Sequence, residues 1–340
     1  MSSSGISRRL EHFAYAADGK YALPLKIAVA SLLHACREHP REFHVHVLDM
    51  GLSDADWEEL STTWKRLAPL ASFVRHPLVA EEFRNYRVWN GSLATYARIK
   101  LPELLPDAAW CLYADCDTFF FDDPLDLERN LEDGVAMAGH LNPVSITEGG
   151  DRKWFMEKHI PMTFERYVCT GLVLLNLEWF RKHDGSRRCL EFLDRHPDSF
   201  AADQCALNYV CRNNVELLPS GWGSFSYEAI QEPVCHCIHF AGTTPWSPPM
   251  NWMFYCGEHR QDILWYRFAT QVAGVPGLQR RFMPWGHTFV HRAKAAVLWP
   301  LLCAAAFLRI YPASMRDHAE SIRNRCLSKA VSKMRASLRS

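Results

Sequence analysis

Leu112–Pro124 reads LYADCDTFFFDDP: a short apolar run closes on two carboxylates, Asp115 and Asp117, spaced two apart, with Asp122 and Asp123 just beyond. Positions two apart share a face of an extended chain, so both acids project the same way where the strand leaves its sheet. The carboxyl edge of an open α/β sheet is where ligands bind. Two oxygen donors on one side suit a hard divalent cation such as Mg²⁺ or Mn²⁺, which can neutralise a diphosphate. The spacing also fits a solvated turn whose acids accept backbone or lysine hydrogen bonds, and Asp-x-Asp alone is a weak sign of a metal site. Asp122 and Asp123 fit caps of the next turn.

Outward from this run, short apolar segments alternate with helical patterns, which implies an α/β fold built on a Rossmann-like mixed sheet. A first strand is expected over His12–Ala17, a loop at Asp18 and Gly19, and a helix near Pro24–Arg37. The run FHVHVLD (Phe43–Asp49) alternates as a second strand. Ser53 suits the N-cap of a helix running to about Leu67, with Asp54 and Asp56 in its first turn, where negative charge complements the dipole. A short strand at Ser72–Arg75, a helix around Leu93–Glu103 and a strand at Trp110–Ala114 complete this half. No G-x-G-x-x-G follows the first strand and no G-x-x-x-x-G-K-[ST] occurs, so phosphates have to be held in some other way.

Composition sets the outer bounds. The chain has 340 residues, 48% hydrophobic and 12% aromatic, enough for a full core. Lysine plus arginine and aspartate plus glutamate both total 38, but residues 281–340 hold 11 basic and 2 acidic groups, leaving the first 280 residues acidic. We divide the chain accordingly into a globular domain, 1–280, and a basic appendage, 281–340. Twelve cysteines with no Cys-x-x-Cys pair read as reduced thiols. The N-terminus MSSSGISRRLEHFAYAADG has no uninterrupted apolar region, so a cytoplasmic location is expected. Ala295–Leu308 is almost wholly apolar, but with Pro300 inside it is too short to span a bilayer. Beyond Pro312, Met315, Ala319, Ile322, Cys326, Ala330, Met334 and Leu338 recur at helical spacing among seven arginines and lysines. Such a helix suits an anionic membrane surface, placing the protein at the periphery of the cytoplasmic membrane, or docking onto a partner. Nucleic acid fits poorly, because the tail lacks interleaved aromatics and the body is acidic.

An ordered series of segments carries a resemblance: YAADGKY (15–21), VHVLDMGLS (45–53), TYARIKLPELL (95–105), LYADCD (112–117), TGLVLLNLEWFR (170–181), ADQCALN (202–208) and HFAGTTPW (239–246). Together they resemble glycosyltransferase family 8, the retaining, nucleotide-sugar-dependent group that includes glycogenin and lipopolysaccharide galactosyl- and glucosyltransferases. The resemblance implies a glycosyltransferase-A fold and transfer of galactose or glucose from a UDP-sugar to a saccharide acceptor, such as a lipid-linked lipopolysaccharide core or another cell-surface glycan.

It also implies site residues. Ala16, Ala17, Asp18 and Tyr21 match the uridine pocket. Arg98 matches the arginine that reaches the donor sugar or neighbouring carboxylates. Asp115, Cys116 and Asp117 match the Asp-x-Asp segment, and His239 matches the histidine that completes a metal site with Asp115 and Asp117. An imidazole beside two carboxylates favours Mn²⁺ over Mg²⁺. On spacing alone, Cys235, Cys237 and His239 would share a strand face, but neighbouring ligands on one strand make a poor tetrahedral cage. Gly242 would let the backbone approach the diphosphate. Gln204 matches the residue nearest the anomeric carbon, with Asp203 beside it orienting sugar hydroxyls; Asp203 fits a helix N-cap as well.

The chain departs from the family pattern at three places. Cys169-Thr170-Gly171 stands where Asn-Ala-Gly or Asn-Ser-Gly is usual, Cys205 replaces the second aspartate of Asp-Gln-Asp, and Thr244 replaces a lysine before Pro-Trp. These departures keep a second reading open, a glycan- or membrane-surface binding protein that retains the fold with impaired catalysis. A metal-dependent phosphatase built on paired aspartates fits less well, because Phe119 stands where its motif needs threonine or valine.

Overall fold

The computed structural model describes residues 10–130, 134–143, 147–226, 234–242, 244–246, 259–282 and 304. The stripe at 315–338, and with it the expected membrane-associating helix, lies outside the described residues.

In chain order the elements are β1 (His12–Ala17), α1 (Ala22–Ala35), β2 (His44–Asp49), α2 (Asp54–Leu67), β3 (Ser72–Pro77), α3 (Leu101–Leu104), β4 (Trp110–Ala114), β5 (Thr118–Phe120), β6 (Met137–Leu141), α4 (Arg152–Glu157), β7 (Val168–Asn176), α5 (Leu177–Lys182), α6 (Gly185–Arg195), α7 (Asp203–Cys211), β8 (Val215–Leu217), β9 (Trp222–Phe225), β10 (Cys237–His239), α8 (His259–Gln271) and α9 (Leu278–Phe282). The cap at Ser53 is a reciprocal box: Ser53 Oγ accepts from Asp56 N at 3.1 Å while Asp56 Oδ2 accepts from Ser53 N at 3.2 Å. One expected element differs. Instead of a continuous helix over Leu93–Glu103, a 3₁₀ run covers Ala94–Lys100 and α3 restarts at Leu101. Pro102 is the cause, since it has no N–H to donate to the carbonyl four residues back.

Seven strands form the main sheet in the order β3-β2-β1-β4-β7-β6-β8, and β5-β10-β9 form a second, smaller sheet. From β3 to β4 the strands run parallel, whereas β7 runs antiparallel to both its neighbours. The chain runs from β1 to β2 and β3 on one side, then crosses to β4 on the other. A crevice therefore opens between the carboxyl ends of β1 and β4, where strand order reverses. In the small sheet, antiparallel pairing of β5 with β10 sets His239 opposite Thr118, directly after the Asp-x-Asp segment.

Alternation on the strands builds a core on each face. Phe13, Tyr15, Val45, Val47, Leu112 and Leu174 pack with Leu25, Leu32 and Trp64 of the flanking helices, while Ala14, Ala16, Leu48, Tyr113 and Val173 pack with Tyr96, Ile99 and Phe155. Each fully buried large side chain contributes roughly 1.5–3 kcal/mol. Helix α1 is buried almost all round, because Ile27 and Ala30 turn to a third cluster with Phe119, Ile238 and Trp265. That cluster fixes the small sheet against the large one.

Candidate active site

A cleft of about 430 Å³ opens at the switch point and is lined by the ends of β1, β4, β7, α7 and β10. At its centre, Asp115, Asp117 and His239 converge. One ligand atom from each lies within 4.8 Å of the others, and no other such group of three occurs among the described residues. His239 Nε2 is 3.2 Å from Asp117 Oδ1 and 4.0 Å from Asp115 Oδ2. The imidazole is nearly buried, whereas the two carboxylates keep partial access to the cleft.

The electrostatics of this trio favour a cation. Asp117 Oδ1 is buried and has no aligned hydrogen-bond donor despite its proximity to His239. Burial acts against the Asp117 charge, yet the neighbouring His239 imidazole more than offsets it and holds the carboxyl below its usual range. For His239, burial opposes a positive charge, but Asp117 and Cys169 outweigh it and raise its pKa well above 6.5. A divalent cation supplies the same positive charge in place of that proton, so the donor set of two carboxylate oxygens and one imidazole nitrogen fits one.

Two features position the trio. Asp115 N donates to Gly171 O at 2.8 Å, tying the end of β4 to β7. A methyl group on Gly171 would lie 2.1 Å from His239 Cε1, so only glycine lets β7 pass beneath the imidazole. His239 Nδ1 is also 3.5 Å from Cys169 Sγ on the same strand.

Beside the trio, Arg98 is fully buried and joins the two acidic segments. Its Nη2 donates to Asp115 Oδ1 at 3.0 Å, its Nε lies 2.9 Å from Asp203 Oδ2, and its guanidinium sits 4.1 Å from the centre of the Tyr113 ring. Arg98 Nη1 also donates to Thr170 O, and Tyr113 Oη donates to Asp115 Oδ1 at 2.9 Å. The Arg98 Nε–H itself points to Thr95 O at 3.0 Å, so Asp203 Oδ2 contacts the arginine without an aligned hydrogen bond. Thr95 Oγ1 donates to Asp203 Oδ1. Burial dominates at Asp203 and lifts its pKa to about 6, although Arg98 and Thr95 pull the other way. Gln204, at the start of α7, accepts from Thr170 N at 3.1 Å, which fixes its side chain against β7.

The remaining sequence candidates divide. Ala16, Tyr21, Cys116 and Gly242 line the cleft with the acids. Cys116 Sγ donates to Ala16 O at 3.2 Å and joins the ends of β4 and β1. Gly242 has φ +82 and open space where a Cβ would be. The Ala17 side chain instead packs in the core on the opposite sheet face. The Asp18 carboxylate caps the turn Gly19–Tyr21, accepting from Lys20 N at 3.0 Å. Asp123 accepts from Leu125 N and pairs with Arg41, whereas Asp122 pairs with His236.

Three contributors had no role in the sequence reading: Thr95, Tyr113 and the Thr170 backbone. Thr95 and Tyr113 lie inside the segments TYAR and LYADCD, so their company was the available signal. The Thr170 contacts depend on β7 running beside β4 and carry no local signal.

A seven-stranded mixed sheet with helices on both faces, and acids gathered at its switch point, defines a glycosyltransferase-A type fold. The crystal structure of the galactosyltransferase LgtC in complex with donor and acceptor sugar analogues superposes with TM-score 0.65, at 22% identity over 80% of this chain and 100% of that one. The bifunctional glycosyltransferase WbbM superposes with TM-score 0.62 at 16% identity, over 80% of this chain and 52% of that one. General stress protein A of Bacillus subtilis is 24% identical over 231 residues, 64% of this chain and 74% of its own length. The profile of Glycosyl transferase family 8 matches residues 12–248, and the chain belongs to that family.

Proposed function

We propose that the protein moves a hexose, galactose or glucose, from a UDP-sugar to a hydroxyl of a saccharide acceptor, with retention of the α configuration. The observation that carries this reading is the convergence of Asp115, Asp117 and His239 beside Gln204 and the Arg98–Asp203 pair in one cleft. Mn²⁺ suits the mixed oxygen and nitrogen donors better than Mg²⁺ and, when bound, supplies positive charge that stabilises the diphosphate as the anomeric bond breaks.

The chain's own residues do the rest. Ala16 and Tyr21 offer a small floor and an aromatic wall for the uracil. Gly242 lets the backbone approach the diphosphate. Asp203, buried against Arg98 with its Oδ2 2.9 Å from the guanidinium, fixes that arginine at the wall of the cleft where the donor sugar lies. Gln204 presents an electron-rich amide, held by Thr170, toward the oxocarbenium-like sugar. The acceptor hydroxyl then attacks from the face the diphosphate leaves, so that the new glycosidic bond replaces the bond to UDP and the hydroxyl proton passes to the departing diphosphate oxygen.

We further propose a lipid-linked acceptor, lipopolysaccharide core or another cell-surface glycan, reached by apposition of the basic C-terminal segment to an anionic membrane. Truncation after Arg292 is expected to release the protein from vesicles containing phosphatidylglycerol; retention contradicts that assignment. Calorimetry with UDP-galactose and UDP-glucose, with and without Mn²⁺, tests the donor assignment. Metal-dependent binding accompanied by donor cleavage supports the transferase. Inertness toward every UDP-sugar supports instead a binding protein that has kept the fold.

A further inference from the structure

Beyond the donor and metal residues, the cleft is also lined by Trp89, Asn90, Ser92 and Phe200. Residues 89–92 form a tight hairpin: Trp89 N donates to Ser92 O at 3.0 Å, Ser92 N donates to Trp89 O at 2.9 Å, and Asn90 and Gly91 take φ values of 48° and 78°. That is the geometry of a two-residue turn for which Asn-Gly is the favoured sequence. The base of the hairpin is pinned, since Arg87 N donates to Pro197 O at 2.9 Å and Tyr96 Oη donates to Arg87 O at 2.8 Å. Trp89 lines the cleft yet remains 36% exposed. Phe200 lines the same cleft, seated where a Cβ on Gly150 would come within 2.2 Å of its ring.

Arg87 links the two rings. Its guanidinium carbon is 5.8 Å from the centre of Trp89 and 5.4 Å from that of Phe200. Among the described residues it has no carboxylate partner. A guanidinium resting on aromatic faces keeps its N–H edge free for a bidentate anion, and the rings hold it in place beforehand. A pyranose has an apolar face of C–H bonds that stacks on exposed indole. An exposed tryptophan and a seated phenylalanine that line the cleft, with an arginine against both rings and no carboxylate partner for it among the described residues, form a preorganised surface for a ring that bears negative charge.

We propose that Trp89, Phe200 and Arg87 form the acceptor subsite, and that the acceptor is an anionic sugar carrying a phosphate or a carboxylate. This rests on the transferase reading above. The rings take the sugar's apolar face and Arg87 takes its anionic group, leaving a hydroxyl directed into the cleft.

The test uses full-length protein, Mn²⁺ and the UDP-hexose it cleaves, with three acceptors on one ring: methyl β-D-glucoside, its 6-phosphate and methyl β-D-glucuronide. For the wild type, kcat/KM for at least one charged acceptor is expected to exceed that for the neutral one about tenfold, a ratio that shrinks in 0.5 M salt. The preferred arm distinguishes phosphate from carboxylate. In Arg87→Gln the ratio is expected to fall to about one. Trp89→Ala is expected to raise KM for all three acceptors about tenfold, and Trp89→Phe to restore most of that loss, which a general folding defect would not show. Equal use of charged and neutral acceptors by the wild type, an unchanged ratio in Arg87→Gln, or donor hydrolysis without transfer to any of the three overturns the subsite. Failure of the wild type to cleave any UDP-hexose contradicts the transferase reading itself.

Discussion

Arg98 and Asp203 form an ion pair closed to water, with Nε and Oδ2 2.9 Å apart and side-chain exposures of 2% and 1%. Arg98 also neutralises Asp115, so the two members of the pair are not equivalent. Replacing Arg98 with methionine leaves a fully buried carboxylate and a half-buried one uncompensated, and is expected to cost about 3–5 kcal/mol. Asp203→Asn leaves Arg98 paired with Asp115, and is expected to cost less than half of that while lowering kcat roughly 10²-fold. Urea unfolding and turnover of the two variants check the asymmetry.

Gly171 tests how the metal site is built. Because a Cβ there would meet the His239 imidazole at 2.1 Å, Gly171→Ala has to displace the ring. We expect Mn²⁺ affinity to fall about 10–100-fold, the range seen when the support of a ligand is disturbed. Gly134, with φ +88 and open space around its Cβ position, lies away from the cleft lining, so Gly134→Ala is expected to leave Mn²⁺ affinity unchanged.

Ala202, immediately before Asp203, has φ 51 and ψ −127, a backbone conformation that suits glycine. Ala202→Gly is expected to raise stability by about 1 kcal/mol through relief of that strain. Thermal unfolding measures the gain, and an unchanged or lower midpoint contradicts it. The turn sits against Asp203 and Gln204, so strain has accumulated next to the residues assigned to the donor sugar.

Acid stability depends on His12 and His46, which lie in a cluster of histidines on β1, β2 and β3. His12 Nδ1 lies 3.0 Å from His46 Nε2, His46 Nδ1 lies 3.0 Å from His76 Nε2, and the rings of His12 and His44 stack at 4.9 Å. Burial, reinforced by its histidine neighbours, lowers the His46 pKa to about 3; burial and His44 lower that of His12 to about 4. Between pH 6.5 and these values the unfolded chain binds more protons than the folded one, so stability is full above pH 6.5 and falls as the pH drops. The slope for each fully shifted histidine is about 1.4 kcal/mol per pH unit. Urea midpoints from pH 7 to pH 4.5 are expected to decline, and His46→Gln is expected to flatten the decline.

Local chemistry made part of this protein legible. The strand bounds at His12–Ala17 and Trp110–Ala114 and the cap at Ser53 follow from alternation and from a hydroxyl placed before an amphipathic run. Asp115 and Asp117 were readable as a pair because both lie in one short segment. The partnership of His239 with them was accessible only through family resemblance, since it depends on the pairing of β10 with β5 across about a third of the chain. Burial of Arg98 was hidden for the same reason: its neutralising acids come from two distant segments. Conversely, period-two alternation already separates Ala16 from Ala17, and the structure sends their side chains to opposite faces of the sheet.

The account depends on a cation held by two aspartates and a histidine at the switch point of the sheet. Titration of Mn²⁺ into the full-length protein with UDP present, followed by the paramagnetic resonance signal of free Mn²⁺, measures this directly. A single ion taken up per chain, lost in the Asp115→Asn, Asp117→Asn double variant and weakened at least tenfold in His239→Gln, is the expected result. Undiminished uptake by the double variant would contradict the account.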